Sequence, residues 1–186
     1  MNHDDQANEP LNRVRRQDRA VEDEAWMRSF LSRAPFGVLA TAHADQPFLN
    51  PMHFVFDAAQ SALYVHTGKQ GRLNANLASN PKVCFCAAEM GRLLPAKRAG
   101  EFSGEYASVI VFGRAEVVSD HAEARRVLQA LLDKYFPEQR PTRDYKPLTE
   151  SDLSVTCVLR ITIDAWSAKR NQNHPDHPGA FDYKPA

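Results

Sequence analysis

Apolar residues along this chain recur first at helical and then at strand spacing. After a polar stretch over residues 1–21, in which VRRQDR mixes both charge signs, Ala25, Trp26, Phe30 and Leu31 fall near one face of a helix. Asp23 can cap that helix and Pro35 ends it. Residues 36–42, FGVLATA, make an apolar strand, and HADQ carries turn chemistry. Residues 48–57 alternate, with Leu49, Pro51, His53 and Val55 on one side and Asn50, Met52, Phe54 and Phe56 on the other. Pro51 there implies an edge position, a bulge or a strand start. A third strand covers 63–67, a short helix ends at Pro81, and a fourth strand covers 82–90.

The Gly, Pro and charges of 91–104 predict a long loop, and a long strand follows over 106–118. In it Val109, Val111, Ala115 and Val117 share a face, and Gly113 marks a bulge or a close backbone approach. The clearest helix is SDHAEARRVLQALLDKYF, capped by Ser119 or Asp120, with Val127, Leu128, Leu131, Leu132 and Phe136 as its stripe. Residues 137–152 read as a loop, 155–164 as a last strand, and 171–186 as an irregular tail. Six strands joined by hairpins or single long loops, with helices added, predict a mainly β fold: an antiparallel barrel with α additions rather than a doubly wound parallel sheet.

Composition narrows the function. In 186 residues, 43% apolar content suffices for one core over residues 22–170. Lys plus Arg and Asp plus Glu balance at 23 each, so no overall field draws the chain to nucleic acid or an anionic membrane, and any anion site must be local. No signal-like start or membrane-length apolar run is present, and Cys84, Cys86 and Cys157 sit in strand-like contexts, which leads to an expectation of a cytoplasmic protein with buried thiols. No G-x-S-x-G, P-loop or H-E-x-x-H pattern occurs. His174-Pro-Asp-His177 lacks further ligands in sequence, so no metal site is expected.

The chemistry concentrates in LYVHTGKQGRLNANLASNP, residues 63–81, where a strand passes through a Gly-punctuated turn into a helix N-terminus. Thr67 offers a hydroxyl, Lys69 and Arg72 offer positive charge, and Gly68 and Gly71 let the backbone turn or approach a ligand. Phosphate is the ligand class this suits. His66 beside it has an ordinary pKa near 6.5 in the reference state, so a neutral ring can hydrogen-bond a carbonyl of substrate or cofactor.

A strand ending in LYVHTG followed by GRLNANLASNPKV resembles the pyridoxamine 5′-phosphate oxidase-like FMN-binding split barrels. HTGKQGRLNAN, EYASVIVFGRAEVV, KYFP and DAWSAKRN resemble the 5-nitroimidazole resistance (Nim) branch, over roughly residues 22–170. The resemblance implies a six-stranded antiparallel split β-barrel, homodimeric, with FMN in a groove between subunits. By the same resemblance Thr67 and Arg72 contact the flavin phosphate, and Lys69 and Gln70 share their turn. The backbone of the strand carrying His53, Phe54 and Val55 borders the ring, His66 is the catalytic candidate near it, and Trp166 and Lys169 face the same groove. Two departures stand out: Leu73 follows the arginine where the vitamin B6 branch has a basic residue, and no Arg-x-His substrate motif can be placed in WSAKRNQNH. The implied activity is therefore reduction of a small molecule such as a nitroaromatic or quinone. The alternative is a non-enzymatic protein holding flavin, haem or a small carboxylate, toward which His43, His53 and His66 point.

Overall fold

The computed structural model describes residues 9–185, and in it the strand-forming runs assemble into one antiparallel sheet of eight strands. In chain order the elements are β1 (Ala20–Val21), α1 (Glu24–Arg33), β2 (Gly37–His43), β3 (Gln46–Met52), β4 (Val55–Asp57), β5 (Ala62–Gly68) and α2 (Arg72–Ser79). They continue as β6 (Lys82–Leu94), β7 (Ser103–Val117), α3 (His121–Tyr135), α4 (Glu150–Val155) and β8 (Thr156–Asn171). The strand order is β3-β2-β6-β7-β8-β5-β4, with β1 paired to β8.

The two ends of this order, β3 and β4, are consecutive in the chain and separated only by His53 and Phe54. Met52 and Val55 therefore lie at most about 10 Å apart, and the sheet has to curl until its ends face one another. No hydrogen-bonded ladder joins them, so the sheet is not closed. The alternating run expected as one strand over 48–57 is thus two, and with β1 the count is eight rather than six. Pro51 does sit on an edge strand, where its missing N–H costs no ladder bond.

Inside the curl lies the main core, with Phe30, Leu31, Leu39, Phe54, Leu63, Val65, Phe85, Val109, Val111, Leu159 and Ile161 buried together. Helix α1 contributes Met27, Phe30 and Leu31 to it. Its N-terminus is held as the sequence predicts, by the Asp23 carboxylate accepting from the N–H groups of Ala25 and Trp26. Helix α3 covers the outer side of β4, β5 and β8, where Val127, Leu128 and Leu131 pack with Tyr64, Val55 and Val158. Asp120 caps it through Ala122 N–H. Phe136, expected in its stripe, falls beyond the last turn and is exposed.

The expected loop over 91–104 is largely a hairpin. Strand β6 continues to Leu94 past a bulge between Met90 and Leu93, and β7 begins at Ser103. The arm expected over residues 1–21 is structured in its described half, where Val14 is buried, Ala20 pairs with Lys169 and Val21 with Ala168; residues 1–8 lie outside the described part. In the tail, Phe181 bridges Leu93, and Arg92 donates to the carbonyls of Pro175 and His174.

Register places two uncharged rows across the outer face of five strands. Leu49, Ala40, Cys84, Phe112 and Ala165 are successive partners, as are Pro51, Val38, Cys86, Ile110 and Ser167. Leu49 and Pro51 are exposed and the others are half-buried.

Gly113 stands at the bulge between β7 and β8, where a Cβ would come 1.8 Å from the Thr162 carbonyl oxygen. Gly113→Ala is expected to destabilise the fold by about 2–3 kcal/mol, the cost of forcing an overpacked backbone contact. Chemical denaturation of the variant beside the native chain measures this.

Candidate functional site

Strand β5 ends at Gly68, next to Thr156 at the start of β8, and the chain turns through Lys69 and Gln70 to Gly71. Gly71 is the N-cap of α2 with φ +128°, a backbone region that side chains disfavour, and a Cβ there would meet nothing within 4 Å. No side chain caps α2. Its first bonded amide is that of Ala75, which donates to Gly71 O, so the amides of Arg72, Leu73 and Asn74 are free to point at a ligand. Lys69, Gln70 and Arg72 around this end are exposed, and Thr67 is half-buried.

Among the described residues neither Lys69 nor Arg72 forms an ion pair, whereas Arg33 pairs with Glu89, Arg92 with Glu105 and Arg126 with Asp57. The Arg72 guanidinium lies 5.6 Å from the centroid of the Phe48 ring, on the β3 side of the turn. Lys69 lies on the β8 side, where its charge acts on the Cys157 thiol against the larger effect of burial. Asn74 anchors the turn by donating to Gly68 O at 2.7 Å, and leaves its own Oδ1 buried without a partner. An uncapped helix N-terminus, two unpaired cations and one orphaned acceptor fit a phosphorylated ligand with donor hydroxyls.

Leu73 is 4% exposed and packs in the main core. The position after Arg72 therefore faces inward, and its apolar side chain leaves the turn's charge unchanged.

The second half of the site is the bend between β3 and β4. Phe54 N–H has no ladder partner there and donates to the Tyr135 hydroxyl at 3.0 Å, while Phe54 O accepts from that hydroxyl at 3.0 Å and from Lys134 Nζ at 3.0 Å. The Phe54 side chain is fully buried against Phe85, and Val55 is 8% exposed. Both side chains belong to the core, which leaves their backbone as the part that could face a ligand. His53 is exposed, its ring 4.4 Å from that of Tyr135 and 5.6 Å from that of Phe36. Partial burial, and then the neighbouring His53, hold His66 below the ordinary histidine range. His66 is accordingly neutral at pH 7. Lys134 and Tyr135 are 80 and 81 residues from the backbone they hold. Sequence offers only their place in a helix's last turn.

Trp166 and Lys169 are not near the turn. Cys157 pairs with Thr67, and Trp166 follows nine residues later, roughly 30 Å along the strand at about 3.3 Å per residue. Trp166 pairs with Val111 and packs on the core side under Arg28, whose guanidinium is 5.2 Å from its ring. Lys169 pairs with Ser108, and an odd spacing in a strand puts it on the opposite face.

A family model described as pyridoxamine 5′-phosphate oxidase matches residues 23–170. The chain belongs to this family. Among curated proteins none matches it. Solved structures share the pyridoxamine 5′-phosphate oxidase fold. The flavocytochrome Anf3 from Azotobacter vinelandii is 21% identical over 96% of this chain and 87% of its own, with a TM-score of 0.79. An FAD and heme binding protein from Mycobacterium smegmatis is 24% identical over 85% and 76%, with a TM-score of 0.74. A candidate 5-nitroimidazole antibiotic resistance protein from Bacteroides thetaiotaomicron is 22% identical over 81% and 86%, with a TM-score of 0.67. No helix among the described residues is long and apolar enough to cross a membrane.

Burial lowers the Lys134 pKa to about 8 from an unfolded value near 10.5. Between those values the unfolded chain holds the proton and the folded chain does not, so the contribution of Lys134 to stability should rise with pH from about 8 to 10.5, by on the order of 2 kcal/mol once solvent screening of this half-buried group is allowed for. The raised values of the Cys84, Cys86 and Cys157 thiols and of Tyr64 pull the other way in both chains, so denaturation midpoints across that range should show a more positive slope with pH in the native chain than in Lys134→Met.

Proposed function

We propose that this chain is a flavin-dependent oxidoreductase that reduces a small acceptor such as a nitroaromatic or a quinone. The observation that carries this reading is the uncapped N-terminus of α2, set between the unpaired cations Lys69 and Arg72 and opened by Gly71. The flavin phosphate would be held there by Thr67, Lys69, Arg72 and the first-turn amides, and FMN is the smallest cofactor that satisfies the turn. Two of the structural neighbours are flavoproteins by name, a flavocytochrome and an FAD and heme binding protein, which supports a flavin over other phosphate esters. When bound, the flavin supplies the electron transfer. The protein's part is to bind and orient it. The bend at His53, fixed from behind by Tyr135 and Lys134, offers a rigid edge for the ring, and neutral His66 can donate or accept one hydrogen bond at a carbonyl.

The working unit in this reading is a homodimer. If Trp166 and Lys169 reach the same flavin as the turn, the distance along β8 requires them to come from the other subunit. The two uncharged rows from Leu49 to Ala165 and from Pro51 to Ser167 support the same arrangement, since a second copy would bury them. In a cell this protein would work in the cytoplasm.

A second reading, a haem- or flavin-carrying protein without turnover, is favoured by His53 and His66, which are exposed and close enough for one to affect the other's titration. The visible spectrum of purified protein distinguishes bound flavin from bound haem, and reoxidation of reduced flavin with and without acceptors distinguishes an enzyme from a carrier.

Arg72→Ala should weaken flavin binding about 10- to 100-fold, the worth of one charge-assisted hydrogen bond, as read by fluorescence quenching. Unchanged affinity would remove the turn from the site. Ile110→Asp, at the centre of the uncharged rows, should turn a dimer into a monomer in analytical ultracentrifugation.

A further inference from the structure

A cavity of about 580 Å3, within the range of small-molecule sites, opens between α2, the end of β7 and α4. Leu77 and Ala78 of α2, Ala115 and Val117 of β7, Leu153 of α4 and Val158 of β8 form its walls. Among the described residues no Phe, Tyr or Trp lines it, so a planar ring would find no face to stack on. Walls of this kind suit a flexible aliphatic body. Val117 lines the cavity while 60% exposed, and such a body would take that apolar surface out of water.

Charge selects the head group. Glu116 lines the cavity, but it stands in register with Arg160 across the β7–β8 ladder, which puts an opposite charge beside it. His121 is taken up by Glu150, its Nδ1 lying 3.0 Å from Oε2, and Glu150 also accepts from Arg125. Lys69 differs from both, since among the described residues it forms no ion pair and meets no carboxylate in the wall. Its charge acts on the Cys157 thiol, which is buried in the same wall, so the ammonium lies toward the cavity. Thr156, in register with Gly68 next to Lys69, places a hydroxyl donor at the same end. We propose that the cavity binds an aliphatic monocarboxylate, its chain between Leu77, Val117 and Leu153 and its carboxylate on Lys69 and Thr156. One consequence rests on the reading of the turn as a flavin-phosphate site: the phosphate draws on the same lysine, so the two ligands oppose one another and an aliphatic acid would inhibit flavin loading.

The test is calorimetric titration of the full-length chain with decanoate, decanol and decylammonium, each below its micelle concentration. Decanoate should bind saturably, and decylammonium at least about tenfold more weakly. Lys69→Met should weaken decanoate about tenfold and leave decanol unchanged. Ala78→Trp, which fills the cavity from an exposed position, should weaken decanoate and decanol alike. Val117→Trp, on the β7 wall, should do the same and serves if the first variant does not fold. The assignment is overturned by absence of saturable decanoate binding, by equal affinity for decylammonium, or by decanoate affinity that survives Lys69→Met or both tryptophan variants. Saturating decanoate should also raise the Kd of FMN about fivefold or more. Decanoate binding that leaves FMN affinity untouched would remove Lys69 from the flavin site while supporting the cavity site. A chain that binds no flavin would end the flavin reading, and the decanoate titrations would still decide the cavity.

Discussion

Everything in this molecule depends on two residues, His53 and Phe54, that carry the chain from one end of the sheet to the other. Because β3 and β4 are the two ends of the strand order and also neighbours in sequence, the sheet is forced to curl around α1, and no ladder closes it between those two strands. A bend of that kind takes backbone groups out of the ladder, and a buried amide without a partner costs about as much as a lost hydrogen bond. The last turn of α3 provides the missing partners. Tyr135 serves both the N–H and the C=O of Phe54, and Lys134 serves the C=O again. Lys134 sits 4.0 Å from the Phe54 ring centroid, so its charge is stabilised by the ring face as well as by the carbonyl, and still burial dominates its titration. The helix that covers the outer core therefore also fixes the edge on which a ligand would rest.

Much of the fold is legible from local pattern because it is locally determined. Asp23 and Asp120 cap the helices they precede, Pro51 marks an edge strand, and Gly113 marks a bulge whose crowding explains why no side chain fits. The misreadings share one cause, which is that pairing with a distant partner overrode the local signal. Ala20 and Val21 are too few to show a period and are strands only because β8 runs past them. Residues 91–94 and 103–105 look like loop from their charges, yet they extend the β6–β7 hairpin, with Arg92 and Glu105 forming an ion pair across it. The alternation over 48–57 passes unbroken through the bend, since a change of strand direction leaves no trace in hydrophobic periodicity.

The site divides in the same way. The turn from Thr67 to Arg72 is legible because glycine spacing and cations lie within six residues, and the structure shows those cations unpaired beside a helix end that no side chain caps. Lys134 and Tyr135 act on a backbone 80 and 81 residues away, from an element that meets it only in three dimensions. Trp166 and Lys169 stand three residues apart, so β8 sends their side chains to opposite faces, a separation that the sequence pattern alone does not display.

Helix α2 ties the candidate site to the sheet. Leu73 and Asn76 are buried, and Asn76 donates to the Thr41 hydroxyl at 3.0 Å, so one side of the helix is locked to β2. Its N-terminus is then held at a fixed distance from β3 on one side and β8 on the other, which a loop could not do. A ligand phosphate arriving there meets amides and cations that need little rearrangement, and such preorganisation is what converts modest individual contacts into affinity. The inward-facing Leu73 contributes through this anchoring. A basic side chain in its place would either bury its charge in the core or pull the helix out of it, and both would loosen the turn that Arg72 and Lys69 depend on.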